Sequence, residues 1–164
     1  MRRAAAIALA AAVVAGCGTN PREPGDPQAE QVLDFAAHGR ALADRAGGVA
    51  RAYVQRTADA RDTRLALSEL MAQSRLAAEG VESTVPSGVP GREPALEGLH
   101  ELVKAASFLH SFASGHGGGM ALARAHLAAA VRALGGVAGA VGPHVGATHD
   151  ETLGHLRAPA PTLP

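Results

Sequence analysis

The chain has 164 residues, of which 47% are apolar, 38 are alanine and only four are aromatic. Its 15 basic and 15 acidic side chains cancel, so no basic face points to nucleic acid. A single cysteine excludes an intrachain disulfide framework and any zinc or iron–sulfur centre built from cysteines. Alanine at this density favours helix, and β-branched and aromatic residues are too scarce to fill strands. The expected fold is all-α: an Ala-rich antiparallel helical bundle of three to four helices.

Met1-Arg2-Arg3 precedes an apolar run from Ala4 to Val14. The run is too short to span a bilayer stably and has the layout of an export signal. Val14-Ala15-Gly16-Cys17 closes it. A charged start, an apolar run, two small residues and then the only cysteine resemble the signal peptide and lipobox of bacterial lipoproteins. The resemblance covers residues 1–17 and no more. It implies cleavage between Gly16 and Cys17, a diacylglycerol thioether on the Cys17 sulfur and an acylated (palmitate-type) amino group. The lipid bilayer then becomes a partner, since two or more chains anchor stably where one is marginal. It also implies the cell envelope: the outer side of the cytoplasmic membrane or the outer membrane, facing the periplasm or the exterior. In such lipoproteins an Asp after the cysteine signals inner-membrane retention; Gly18 stands there instead and favours the outer membrane. Cleavage would remove Arg2 and Arg3 and leave the mature chain slightly acidic.

Four segments are expected: residues 1–16 as signal peptide, 17–27 as lipidated cysteine and tether, 28–157 as helical bundle and 158–164 as a disordered tail. Pro21, Pro24 and Pro27 recur every third residue in the tether. Such a segment extends about 3.1 Å per residue and holds the domain about 30 Å off the bilayer. Asp26-Pro27 opens a helix, with Asp as cap and Pro at the first helical position. A heptad seam follows through Val32, Phe35, Gly39, Leu42, Ala46, Val49, Tyr53, Leu67, Leu70 and Ala77, with Arg56 its one clear fault. Gly80-Val81 reads as a stop. Gly47-Gly48 interrupts the run. The seam stays in phase there, as in one helix over 27–79, whereas matching the length of the later helices calls for two, 27–46 and 49–79, folded back at the glycines. The length argument is preferred.

Pro94 starts the next helix, with Leu99, Leu102, Ala106, Leu109 and Ala113 as its apolar stripe. After the glycines at 117–119 a further helix runs from Met120 to Val141. Thr148 to Glu151 has the form of a capping box for a short helix through Leu156.

Catalytic motifs come close and fail. His100-Glu101-Leu102-Val103-Lys104 begins like the zinc-protease motif, but Lys104 stands where the second imidazole is needed. Glu97-x-x-His100 is half of a di-iron carboxylate set with no second half. His116 with the glycines at 117–119 resembles an oxyanion loop, without a nucleophile elbow. No cofactor motif is present. Five of the eight histidines lie between 116 and 155. Of these, His144, His149 and His155, with Asp150, are the candidate ligands for a divalent transition metal.

The expected role is that of a membrane-anchored envelope lipoprotein, not an enzyme, with a structural or protein-interaction function. Its partners would be the bilayer and an unidentified envelope protein, with self-association open. The alternative is a periplasmic metal-binding protein using the C-terminal histidines.

Overall fold

Asp26 caps the first helix, its side chain accepting the Gln28 N–H at 2.9 Å, and Pro27 occupies a position whose N–H has no helical partner. The computed structural model describes residues 25–164. The cleavage pair Gly16–Cys17 and most of the tether lie outside the described residues.

Five α-helices follow, with no strand among the described residues: α1 (Pro27–Val54), α2 (Ala60–Thr84), α3 (Arg92–Ala113), α4 (Gly119–Val141) and α5 (Asp150–Arg157). Two single 3₁₀ turns, Gly142–His144 and Ala147–His149, join α4 to α5. The all-α bundle expected from composition is the fold observed. The first four helices run up, down, up and down. Gln31 near the start of α1 bonds Thr84 at the end of α2, Arg64 near the start of α2 bonds the Ala113 carbonyl at the end of α3, and Glu101 meets His126 across α3 and α4.

The core is leucine spaced by alanine. Leu33, Leu67, Leu70, Leu99, Leu127, Leu134 and Leu156 are its largest fully buried chains, packed among Ala29, Ala36, Ala43, Ala95, Ala105, Ala123, Ala130 and Ala138. Each alanine contributes little burial, but it lets backbones approach closely and so gains dispersion contacts. α3 and α4 approach closely at Gly98. A Cβ built there would lie 2.6 Å from Leu134 Cγ and 3.2 Å from the Ala130 carbonyl oxygen. Gly119–His144 is long and apolar enough to cross a membrane, with mean hydropathy 1.3. Here it packs as a bundle helix: Leu127, Leu134, Val137 and Val141 lie in the core, and Arg124 and Arg132 are exposed on its outer face.

The fold-back after the first helix is not at Gly47-Gly48. α1 runs through both glycines and ends at Val54, and the turn follows at residues 55–59. Arg56, the fault in the seam, adopts φ +59°, the left-handed conformation that breaks the helix. Asp59 then caps α2, accepting the Asp62 N–H at 2.8 Å. The stop expected at Gly80-Val81 is overrun to Thr84, because Val81 is buried in the core and Ser83 and Thr84 bond back to the Glu79 and Gly80 carbonyls. Thr148–Glu151 forms no capping box. The 3₁₀ turn takes its place, α5 begins at Asp150, and His149 caps it without a side-chain bond.

The tail is also not free. Residues 158–164 lie along α1. The Arg40 guanidinium, 3% exposed, donates to the Ala158 carbonyl at 2.7 Å and the Pro159 carbonyl at 2.8 Å, while its Nε faces Asp44 at 3.3 Å. Arg51 donates to the Thr162 carbonyl, Pro161 sits where a Gly47 side chain would be, and Leu163 is buried. Carbonyls of an extended, proline-rich segment have no partner of their own. A buried guanidinium needs acceptors for its five N–H donors. Each satisfies the other.

Two substitutions test this core. Leu70→Ala and Leu127→Ala each remove a chain at most 2% exposed and should cost about 2–4 kcal/mol in denaturant unfolding. A loss near zero at both positions would contradict the packing described.

Candidate functional site

Each predicted ligand points somewhere of its own. His149 Nε2 lies 3.6 Å from Glu30 Oε1, and His155 Nε2 lies 3.2 Å from Asp44 Oδ2. Glu30 and Asp44 are fourteen residues apart on α1, about 21 Å along its axis. His144 is exposed, and its carbonyl accepts the Asp26 N–H at 2.8 Å. Asp150 is exposed in the first turn of α5. The four are therefore not brought together. Among the described residues no three His, Cys, Asp or Glu side chains are grouped to hold a metal ion. The histidines instead tie the C-terminal segment to α1.

One polar pair joins two helices. Glu101 on α3 meets His126 Nδ1 on α4 at 2.6 Å, and Lys104 Nζ reaches its other carboxylate oxygen, also at 2.6 Å. The His126 ring lies parallel to Phe108, with centroids 5.2 Å apart and an interplanar angle of 4°. The Glu101 side chain is 14% exposed. Burial pushes its pKa up, but hydrogen bonds from His126 and Lys104, together with their charges, outweigh burial and hold it below its ordinary value. The zinc-protease remnant is thus resolved: Glu101 and Lys104 are paired with each other, and His100 is exposed. Beside the pair lies a polar cleft of about 760 Å³, lined by Glu82, Arg92, Glu97 and His100 among others.

The apolar opening lies elsewhere, between α1 and α2. Gln31 Nε2 to Thr84 Oγ1 (2.8 Å) bridges the two helices at one end, and Arg45 to Glu69 (2.7 Å) bridges them further along. Between these bridges a groove of about 520 Å³ opens, walled by Asp34, Phe35 and His38 on α1 and by Gln73, Leu76 and Ala77 on α2. The edge of the Phe35 ring fills the space beside Gly80, where an added Cβ would lie 2.7 Å from Phe35 Cε1. Leu76 on the rim is 66% exposed. The arrangement can accept an apolar side chain between polar rims; it places no nucleophile next to an acid or base.

The heptad seam found Phe35 and Ala77 but not the groove. Its one sequence signal is Leu76, an apolar residue out of register with the seam. No protein-family model, no curated protein and no solved structure matches the chain.

The Glu101 pair makes a pH-dependent contribution. A carboxyl whose folded-state pKa is depressed stabilises the fold above its unfolded pKa and loses that contribution as pH falls through the folded value. Glu101→Gln should cost about 1 kcal/mol at neutral pH. The difference from the parent should shrink below pH 4.5, the ordinary carboxyl value. Thermal melts of both chains across that range check it, and a difference independent of pH would contradict the pairing.

Proposed function

We propose that the chain is a lipid-anchored protein of the bacterial envelope, cleaved before Cys17 and held to a bilayer by acyl chains on that residue. In this reading it acts by contact with another envelope component and not by catalysis. The observation that carries the anchor is the order of Val14-Ala15-Gly16-Cys17, a proline-punctuated stretch and then the Asp26 cap that opens α1. A lipidated cysteine needs a spacer before a folded body, and nine residues at about 3.1 Å each supply nearly 30 Å.

The contact role is supported by the α1–α2 groove. It is apolar at the floor, polar at the rim and open to solvent, which is the make-up of a surface that receives a partner's side chains. The groups that would serve metal chemistry have other roles here. His149 and His155 face Glu30 and Asp44, and Glu101 is held by Lys104 and His126. The membrane that carries the anchor would be the outer membrane or the outer side of the cytoplasmic membrane.

Cys17→Ser tests the anchor. The altered chain should leave the detergent phase for the aqueous phase in detergent partitioning and should no longer incorporate labelled palmitate, with unchanged helical circular dichroism. Membrane attachment that survives the substitution would overturn the proposal.

A further inference from the structure

α2 carries two stripes. The inner one, with Leu67, Leu70, Ser74, Ala77 and Val81, is buried in the bundle. On the opposite side stand Leu65, 61% exposed, and Leu76, 66% exposed, with exposed Ala72 between them. At 3.6 residues per turn, spacings of seven and eleven residues return to nearly the same angle, so these three side chains form one line along the helix. Leu65 and Leu76 are the most exposed large apolar side chains among the described residues.

We propose that this face of α2 docks on the same face of a second copy of the chain, with the two helices antiparallel about a twofold axis that passes between Leu70 and Met71. In that register Leu65 of each chain lies opposite the partner's Leu76, and Ala72 lies near the axis, where the backbones come closest. Leu76 is also a wall of the α1–α2 groove, so each Leu65 faces the open side of the partner's groove, beside Phe35. A single patch that carries both the projecting leucine and its receptor is self-complementary, as a twofold interface requires.

Charge chooses the occupant and the direction. Arg61 and Glu79 are both exposed and lie on the same flank of the stripe, about 40° round the helix from Leu65. They stand at nearly equal distances on either side of the proposed axis. A twofold perpendicular to the helices brings like flanks together, so each Arg61 meets the partner's Glu79, twice per dimer. Parallel pairing, about a twofold along the helices, would carry each flank to the opposite side of the seam, so Arg61 and Glu79 of the two copies would not meet. On the other flank Glu69 is already neutralised by Arg45 of its own chain. This inference does not rest on the lipid anchor: detergent partitioning reads the anchor, and the experiments below read association in its absence.

The test uses the full chain carrying Cys17→Ser, in mild detergent. Adding Leu65→Cys together with Leu76→Cys should give a disulfide-linked dimer on gentle oxidation. Within one chain the two positions are about 16 Å apart along α2, beyond the reach of a disulfide. Leu65→Cys alone should give no crosslink, because in the antiparallel register the two copies of that position lie at opposite ends of the contact. In sedimentation, Arg61→Glu and Glu79→Arg should each raise the dimer Kd by about tenfold, and the two together should return it to within about threefold of the parent. All four positions are exposed, and circular dichroism confirms that the variants stay folded. The proposal is overturned if the chain sediments as a monomer at every concentration, if Leu65→Cys alone crosslinks as well as the pair, or if the double charge exchange fails to restore association.

Discussion

Small side chains at the helix contacts set the distance between helices, and the rest of the structure follows from that distance. With alanine as the commonest residue and four aromatics in the whole chain, the core cannot be filled by bulk. It is filled by proximity: Ala130 and Leu134 of α4 lie over Gly98 of α3 so closely that even a methyl group has no room. Burial per residue is modest in such a core, so many contacts must be made at once. Four helices alone do not complete it. α5 and the extended segment after it add Leu153, Leu156 and Leu163 to the buried set.

α1 shows how one helix serves so many neighbours. Ala36, Gly39, Ala43, Ala46 and Ala50 are buried on one side, and Leu33, Arg40 and Gly47, at heptad spacing, are buried on another. The second row receives α5 and the tail. Arg40 is the one charged side chain buried among the described residues, and it is tolerated because two carbonyls and Asp44 satisfy it. His155 faces the same Asp44 at 3.2 Å, so helix and tail are held at a shared point. At the α1–α2 contact the Phe35 ring packs against Gly80, and the groove opens beside it.

The sequence made the fold class and most helix positions legible, because alanine content and periodicity act locally. It misplaced the fold-back because two glycines read as a break. Within α1, however, Gly47 lies beneath Pro161 and the helix continues, while Arg56, a fault in the seam, marks the turn. It missed the docked tail because the partners of that segment are Arg40, Arg51 and Gly47, residue types that do not read as a docking surface. The histidines are dense near the C-terminus in sequence, but density did not predict that His149 and His155 would face two different carboxylates on α1, while His144 stands exposed. The groove was hidden for a related reason: it is a gap between elements, and only the out-of-register Leu76 hinted at it.

The functional reading rests on the groove. Of the openings on this body, the one beside Phe35 is lined by apolar Phe35, Leu76 and Ala77, whereas the larger cleft beside Glu101 is lined mostly by charged and polar side chains. The most direct measurement of the underlying claim is the stability of Gly98→Ala. In an ordinary helix interior this change stabilises by about 0.5–1 kcal/mol, because glycine loses more backbone freedom on folding. Here the added methyl would meet Leu134 Cγ at 2.6 Å and the Ala130 carbonyl at 3.2 Å, so denaturant unfolding should show a net loss of about 1–3 kcal/mol. A Gly98→Ala chain as stable as the parent, or more so, would contradict the claim that α3 and α4 are in contact at that distance.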